Sequence, residues 1–223
     1  CVAAAVICGF LSLTARLWLP GRDVGMRRAP YTPPGLTGFA LTVLMVIMTG
    51  AAVLRVPLLD HSLWNDEEYG MRRHAHGEWK HDKDGKLAFA PASWTDTLFE
   101  CRVGNNHHLN SALGKLSLST WRFFTGAPPE AFSESALRAP ALAAGILTLA
   151  LLVILGAEMG LPWVGVGAAG LLALHPWHVR YAVEARGYSV MMFFMCLMLV
   201  ALTRAMRTNR VAAWTLFAIA EAG

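Results

Sequence analysis

Apolar residues in this chain fall in blocks of about 20, the length at which a helix crosses the hydrocarbon core of a bilayer. The blocks are residues 1–19, 37–56, 137–157, 161–179 and 187–203, with a further one starting near Val211. Each is expected to be a transmembrane helix. Between the first two lies a linker, Pro20 to Gly35, rich in arginine and interrupted by prolines, which cannot be helical throughout. Between the second and third hangs a long polar loop, residues 58–136.

The loop is uneven. Residues 72–87 are dense in charge and histidine, with Asp84-Gly85 as a turn signal. Residues 106–124 place Leu109, Leu113 and Leu116 on one helical face, with Trp121 and Phe124 near its end. Asn110, Lys115, Ser117 and Arg122 break the apolar character, so this segment is expected to be a helix lying in the interface rather than a span.

Composition agrees with a membrane protein. Of 223 residues, 55% are hydrophobic and 15% charged, with mean hydropathy +0.43; a soluble domain carries about 25% charged residues. The net charge of +4 bears on topology rather than on nucleic acid. Short loops rich in arginine stay cytoplasmic. The clusters Arg16, Arg22, Arg27, Arg28 and Arg204, Arg207, Arg210 fall on one side when the spans between them are counted. The 58–136 loop and the turn around Glu184 then face the other side. Cys1, Cys8 and Cys196 lie in apolar runs and only Cys101 lies in the loop, so no disulfide framework is expected. The chain begins at Cys1 and stops inside an apolar run, and is expected to be a piece of a longer protein.

Ionisable residues avoid the middles of the apolar blocks and gather at their mouths. Carriers usually hold polar groups near the midplane; here the chemistry is expected at one membrane surface. Two acidic stretches stand out: Asp66-Glu67, and Arg180-Tyr-Ala-Val-Glu-Ala-Arg-Gly-Tyr188. Asp66-Glu67 also reads as an acidic pair favoured by a helix N-terminus, and Glu184 with Arg186 as a surface ion pair. His74-Ala-His76, with His81 and Asp82, reads as a solvated loop or a metal site without paired zinc-type spacing. His107-His108 reads as a site or a helix cap. Gly165, Gly167 and Gly170 read as close helix packing.

Four stretches together resemble the GT-C glycosyltransferases that use polyprenyl-phosphate sugars (family 39-like), the bacterial relatives of protein O-mannosyltransferases and lipid A aminoarabinose transferases. They are Ser62-Leu-Trp-Asn-Asp-Glu67, Asn105-Asn-His-His-Leu-Asn110, Ala136-Leu-Arg-Ala-Pro140 and His175-Pro-Trp-His-Val-Arg-Tyr-Ala-Val-Glu-Ala-Arg-Gly-Tyr188. Their order and spacing follow the family over roughly residues 37–220. His108 stands where the family has a proline, and Val183 where it has a glutamine. The segment 1–36, an extra span and basic linker, has no counterpart.

The resemblance implies an all-α, polytopic GT-C membrane core over 37–223, truncated, with the 58–136 loop as an extracytoplasmic lid carrying interfacial helices. It implies transfer of a sugar from a polyprenyl-phosphate donor to a glycan, lipid or protein acceptor, in the bacterial inner membrane. Asp66 would be the general base, with Glu67 beside it in the catalytic pair, orienting or binding. The donor phosphate and substrate would be met by Arg186, Glu184, Tyr188, Arg138, Asn106 and His107, with Arg72 and Arg73 as weaker candidates. No cofactor is implied with certainty; a divalent metal, for which Glu184 is the candidate ligand, stays open. The other reading is a transporter or flippase of lipid-linked sugars.

Overall fold

A computed structural model describes residues 36–81, 83–100 and 106–222 of the chain. The expected first span and its arginine-rich linker lie outside the described residues, as do Asp82, Cys101 and Asn105. The described part is mostly helical. Three helices are long and apolar enough to cross a membrane: α1 (Gly38–Arg55, continued by a 3-10 turn to Leu58), α5 (Glu134–Glu158) and α8 (Tyr188–Thr208). Between α1 and α5 come α2 (Asn65–Gly70), a π-helical turn (Met71–Ala75), strands β1 (Gly77–His81) and β2 (Leu87–Pro91), α3 (Trp94–Phe99) and α4 (His108–Thr125). Between α5 and α8 lie α6 (Pro162–Leu174) and α7 (Pro176–Tyr181); α9 (Val211–Ala222) follows α8.

Two of these elements depart from expectation. The block at 161–179 is not one helix. α6 has 13 residues, about 20 Å, short of the roughly 30 Å a span needs. Pro176 opens α7 and holds His175 extended, at φ −67° and ψ 124°. The α6 carbonyl of Ala173 is taken by Arg55, whose Nη2 donates to it at 2.9 Å. The fold is also not purely helical. β1 and β2 pair antiparallel from Gly77–Pro91 to His81–Leu87, closed by the turn at Asp84-Gly85.

By contacts the chain divides into two compact units. The first comprises the described residues up to Met48, Thr148–Leu172 and the chain from Met191. Its core joins Leu151 to Cys196 and Val200, flanked by Leu155, Phe193 and Leu197. One end is closed by buried Glu158, which accepts from Arg204 Nε at 2.5 Å, with Arg207 Nη1 4.0 Å away. The 151–158 and 196–207 segments therefore run parallel, and α6 returns antiparallel between their connections. That return needs glycine. A Cβ on Gly165 would lie 2.7 Å from the Leu152 carbonyl oxygen, and one on Gly156 2.7 Å from Gly165 Cα. Gly167 has open space, and Gly170 meets only Ile47 at an ordinary 3.8 Å. Gly165→Leu is expected to force α5 and α6 apart and cost about 1–3 kcal/mol, read as a lowered melting midpoint in detergent. Gly167→Ala, inside the same helix with open space for its Cβ, is expected not to lower that midpoint.

The second unit, Thr49–Leu147 with Ala173–Val190, holds the whole 58–136 loop. Its core is Ala75, Leu118 and Leu137, with Leu63, Met71, Phe132 and Ala185 packed around them. On α4 the buried positions are Asn110, Gly114 and Leu118, one turn apart, not the Leu109–Leu113–Leu116 face expected to define it. Leu116 is exposed. Gly114 gives the reason: a Cβ there would meet Leu137 Cδ1 at 3.0 Å, so α4 crosses the first turns of α5 on its smallest residue.

His76 is buried in this unit between Phe89 and Phe132, with ring centroids 4.8 and 5.1 Å away. Arg122 Nη2 donates to its Nδ1 at 2.5 Å. Burial first, then the Arg122 charge, push its pKa from 6.5 down to about 4, against a backbone hydrogen bond to Glu130. The unfolded chain takes up a proton there before the folded one does. Stability is therefore expected to fall as pH drops from 6.5 to about 4. A thermal-unfolding series across that window checks it, and His76→Gln should flatten the fall.

Candidate active site

The second unit brings the two acidic stretches together although 118 to 120 residues separate the partners. Glu67, in the first turn of α2, is 2% exposed. Its carboxylate accepts from Arg138 twice, Nε to Oε1 at 3.0 Å and Nη2 to Oε2 at 2.6 Å. It also accepts from the Ala185 amide, and from the Trp64 amide at 3.4 Å as one half of a capping box. Arg138 fills its remaining donors on the Leu59, His61 and Ser62 carbonyls. This buried fork ties the start of α5, the turn before α2 and the 184–186 segment into one piece.

The fork bears on two assignments. Arg138, expected at the donor phosphate, is 3% exposed here and its donors are engaged by Glu67 and three carbonyls. Glu67 is an anchor rather than a group open to substrate, since every contact of its carboxylate holds backbone or Arg138 in place.

Asp66, its neighbour, is turned the other way. Its side chain is 44% exposed, and Oδ2 accepts from Arg186 Nη1 at 2.9 Å. The Arg186 guanidinium lies over two rings, 4.9 Å from the Tyr188 centroid and 5.5 Å from that of Trp64. Aromatic faces attract such a cation and fix its plane. The rings continue outward: Tyr188 packs on Tyr181 at 4.6 Å, and Tyr181 stacks on Trp177 at 5.7 Å. Trp64 and Trp177 are exposed.

Asp66 and Arg186 open onto a cleft of about 20 Å³ whose other walls include His107, Asn110, Ser111, Met71 and Leu137. About 10–15 Å³ holds one water, so the cleft has room for a hydroxyl-sized group. His107 ends the chain before α4. A Cβ on Gly187 would stand 3.0 Å from its ring, and Tyr188 lies 5.7 Å away. Burial first, then Arg186 and His108, hold its pKa below the usual histidine range. Its Nε2 is buried and has no hydrogen-bond partner among the described residues.

The remaining assignments divide. His107 lines the cleft with Asp66 and Arg186, and Tyr188 packs against Arg186 and His107. Asn106 does not bind there: its amide donates to the Asp96, Thr97 and Glu100 carbonyls, closing the end of α3, and its oxygen accepts from Ser111. Glu184 pairs with Arg180 at 2.6 Å rather than with Arg186. Arg72 pairs with Glu68 on the surface, and Arg73 lies over the Tyr69 ring.

Among the described residues no group of three or more His, Cys, Asp or Glu is placed to hold a metal ion. Glu184 is a single carboxylate with Arg180 on one oxygen, and His74 Nδ1 meets the Asp96 carbonyl while His76 meets Arg122.

Sequence reasoning passed over Trp64, Asn110 and Ser111, which complete the site. It also passed over Arg55, buried between the Ala51 and Ala173 carbonyls and His178 Nδ1. An arginine in the last turn of an otherwise uncharged span was the available signal.

Comparison with protein-family models, with curated proteins and with solved structures gave no match.

Proposed function

We propose that this chain is part of a GT-C-type membrane glycosyltransferase, moving a sugar from a polyprenyl-phosphate donor to a glycan, lipid or protein acceptor. The observation that carries the proposal is the Asp66–Arg186 pair at the mouth of a hydroxyl-sized cleft. A partly exposed carboxylate supplies the base and an aromatic-backed guanidinium supplies the phosphate contact, side by side. The likeness of the four sequence stretches supports the same class.

In this reading the acceptor hydroxyl attacks the anomeric carbon. Its oxygen–carbon bond forms as the bond from that carbon to the phosphate oxygen breaks. The phosphate leaves with the electron pair, and the hydroxyl proton goes to Asp66. Arg186 meets the leaving phosphate, for which its planar fork is suited. Because Arg186 pairs with Asp66, a donor phosphate would compete with Asp66 for it. Binding the donor thus turns Asp66 toward the acceptor. The exposed rings of Trp64 and Trp177 offer apolar faces for a sugar. A phosphate acceptor would need no base, and Asp66 would then position it.

The site is read as extracytoplasmic, in a bacterial inner membrane, from the arginine clusters and the family likeness. A transporter or flippase of lipid-linked sugars is the second reading. Transfer of labelled sugar from a panel of polyprenyl-phosphate donors, in membranes containing the full-length protein, is the test. Transfer supports the proposal. Translocation of the labelled lipid with no transfer from any donor would replace it with the second reading.

A further inference from the structure

The ring array outside the cleft holds a second guanidinium. Arg180, in α7, has its Cζ 5.7 Å from the Trp64 ring centroid and 5.6 Å from that of Trp177. Two indole faces attract the cation and fix its plane. Its Nε donates to Glu184 Oε1 at 2.6 Å, and the Glu184 side chain is 9% exposed. Glu184 Oε2 is buried and meets no donor among the described residues. The one hydrogen bond of this buried carboxylate is thus the one that holds Arg180.

What the pair leaves over distinguishes it from an ordinary surface ion pair. The Arg180 side chain is 51% exposed, and its two Nη groups have no hydrogen-bond partner among the described residues. A guanidinium held by its Nε keeps a pair of parallel donors on its far edge, the geometry that two phosphate oxygens accept. Most exposed arginines spend rotamer freedom to form such a contact; here the carboxylate and the two rings have already set the plane. Arg186 lies against the same Trp64 ring, at 5.5 Å. One exposed indole therefore carries both guanidinia.

We propose that Arg180 is the contact for a second phosphate, so that the site takes two phosphates at once, one at each guanidinium beside Trp64. The proposal rests on the reading of Arg186 as the contact for the donor phosphate. The second phosphate belongs to the donor lipid, which is then a diphosphate, or to an acceptor that carries a phosphate of its own. Glu184 is a positioning residue in this arrangement, acting through Arg180.

Full-length protein in detergent tests it, offered undecaprenyl phosphate and undecaprenyl diphosphate in equal amounts, with bound lipid read by native mass spectrometry. If the second phosphate is the donor's, wild type is expected to prefer the diphosphate about tenfold, and Arg180→Gln to bring the ratio close to unity. If it is the acceptor's, that preference is missing. Inorganic phosphate then raises the melting midpoint of protein loaded with undecaprenyl phosphate, compared with chloride at equal ionic strength, in wild type and not in Arg180→Gln. A lipid ratio and a phosphate effect that are both the same in wild type and Arg180→Gln would overturn the inference. Undecaprenyl phosphate bound as well by Arg186→Gln as by wild type would instead remove the donor-phosphate reading, and the inference with it. Arg180→Lys keeps a cation for Glu184 but lacks the fork, and takes the place of Arg180→Gln should that variant fail to fold.

Discussion

Replacing Asp66 by asparagine is expected to abolish sugar transfer while leaving the protein folded in the membrane. The substitution keeps the shape of the side chain and its place in the first turn of α2, and removes only its capacity to take a proton as a carboxylate. General base catalysis is worth about 10²–10⁴-fold in rate, so transfer should drop by that factor or below detection. Stability should barely change, because the ion pair with Arg186 is partly exposed on the Asp66 side and such pairs contribute about 0–1 kcal/mol. Glu68→Gln is the control. Glu68 is two residues away and pairs only with surface Arg72 among the ion pairs described, so its loss should leave transfer unchanged. Undiminished transfer by Asp66→Asn would remove the base from the mechanism. Equal losses in both variants would point to the acidity of the segment rather than to one carboxylate.

The spans were legible because lipid imposes a length and a composition that any sequence must show. Gly38–Arg55, Glu134–Glu158 and Tyr188–Thr208 each lie within a few residues of the apolar blocks. What broke the block at 161–179 was half visible. Pro176 was on the page, but the capping of Ala173 by Arg55 joins residues 118 apart, and no local pattern announces it. The hairpin was announced only by its turn, since its strands are short and largely exposed.

At the site, residue type was readable and partner was not. Arg138 and Arg186 are both arginines near acidic residues, and sequence alone gave them the same task. The structure buries Arg138 on Glu67 and leaves Arg186 at the cleft beside Asp66. The difference follows from helical geometry. Successive residues on a helix point roughly 100° apart, so in Asp66-Glu67 one carboxylate faces the core when the other faces the cleft. Asn106 was misread for a similar reason: an amide suits a sugar hydroxyl and a helix end equally well, and here it closes α3.

That division of labour makes the second large effect one of stability. Removing one partner from a buried ion pair costs about 3–5 kcal/mol, because the other charge is left in a low-dielectric site. Arg138→Met strands the Glu67 carboxylate and leaves the Leu59, His61 and Ser62 carbonyls without their donor. Glu67→Ala strands the guanidinium and frees the Ala185 amide. Both single variants are therefore expected to lose most of their folded population, read as reduced monodisperse protein and a lowered melting midpoint in detergent. Arg138→Lys should not rescue, since an ammonium cannot reproduce the two-pronged contact. The double variant Glu67→Ala, Arg138→Met should be less damaged than the sum of the singles, because no unpaired charge remains. Activity should fall with folding, since Ala185 adjoins Arg186 and a loosened 184–186 segment carries Arg186 away from Asp66. The contrary outcome is sharp: a Glu67→Gln protein of wild-type stability with no transfer would make Glu67 a proton acceptor in its own right. The buried fork would then be a resting state that opens during turnover rather than a fixed anchor.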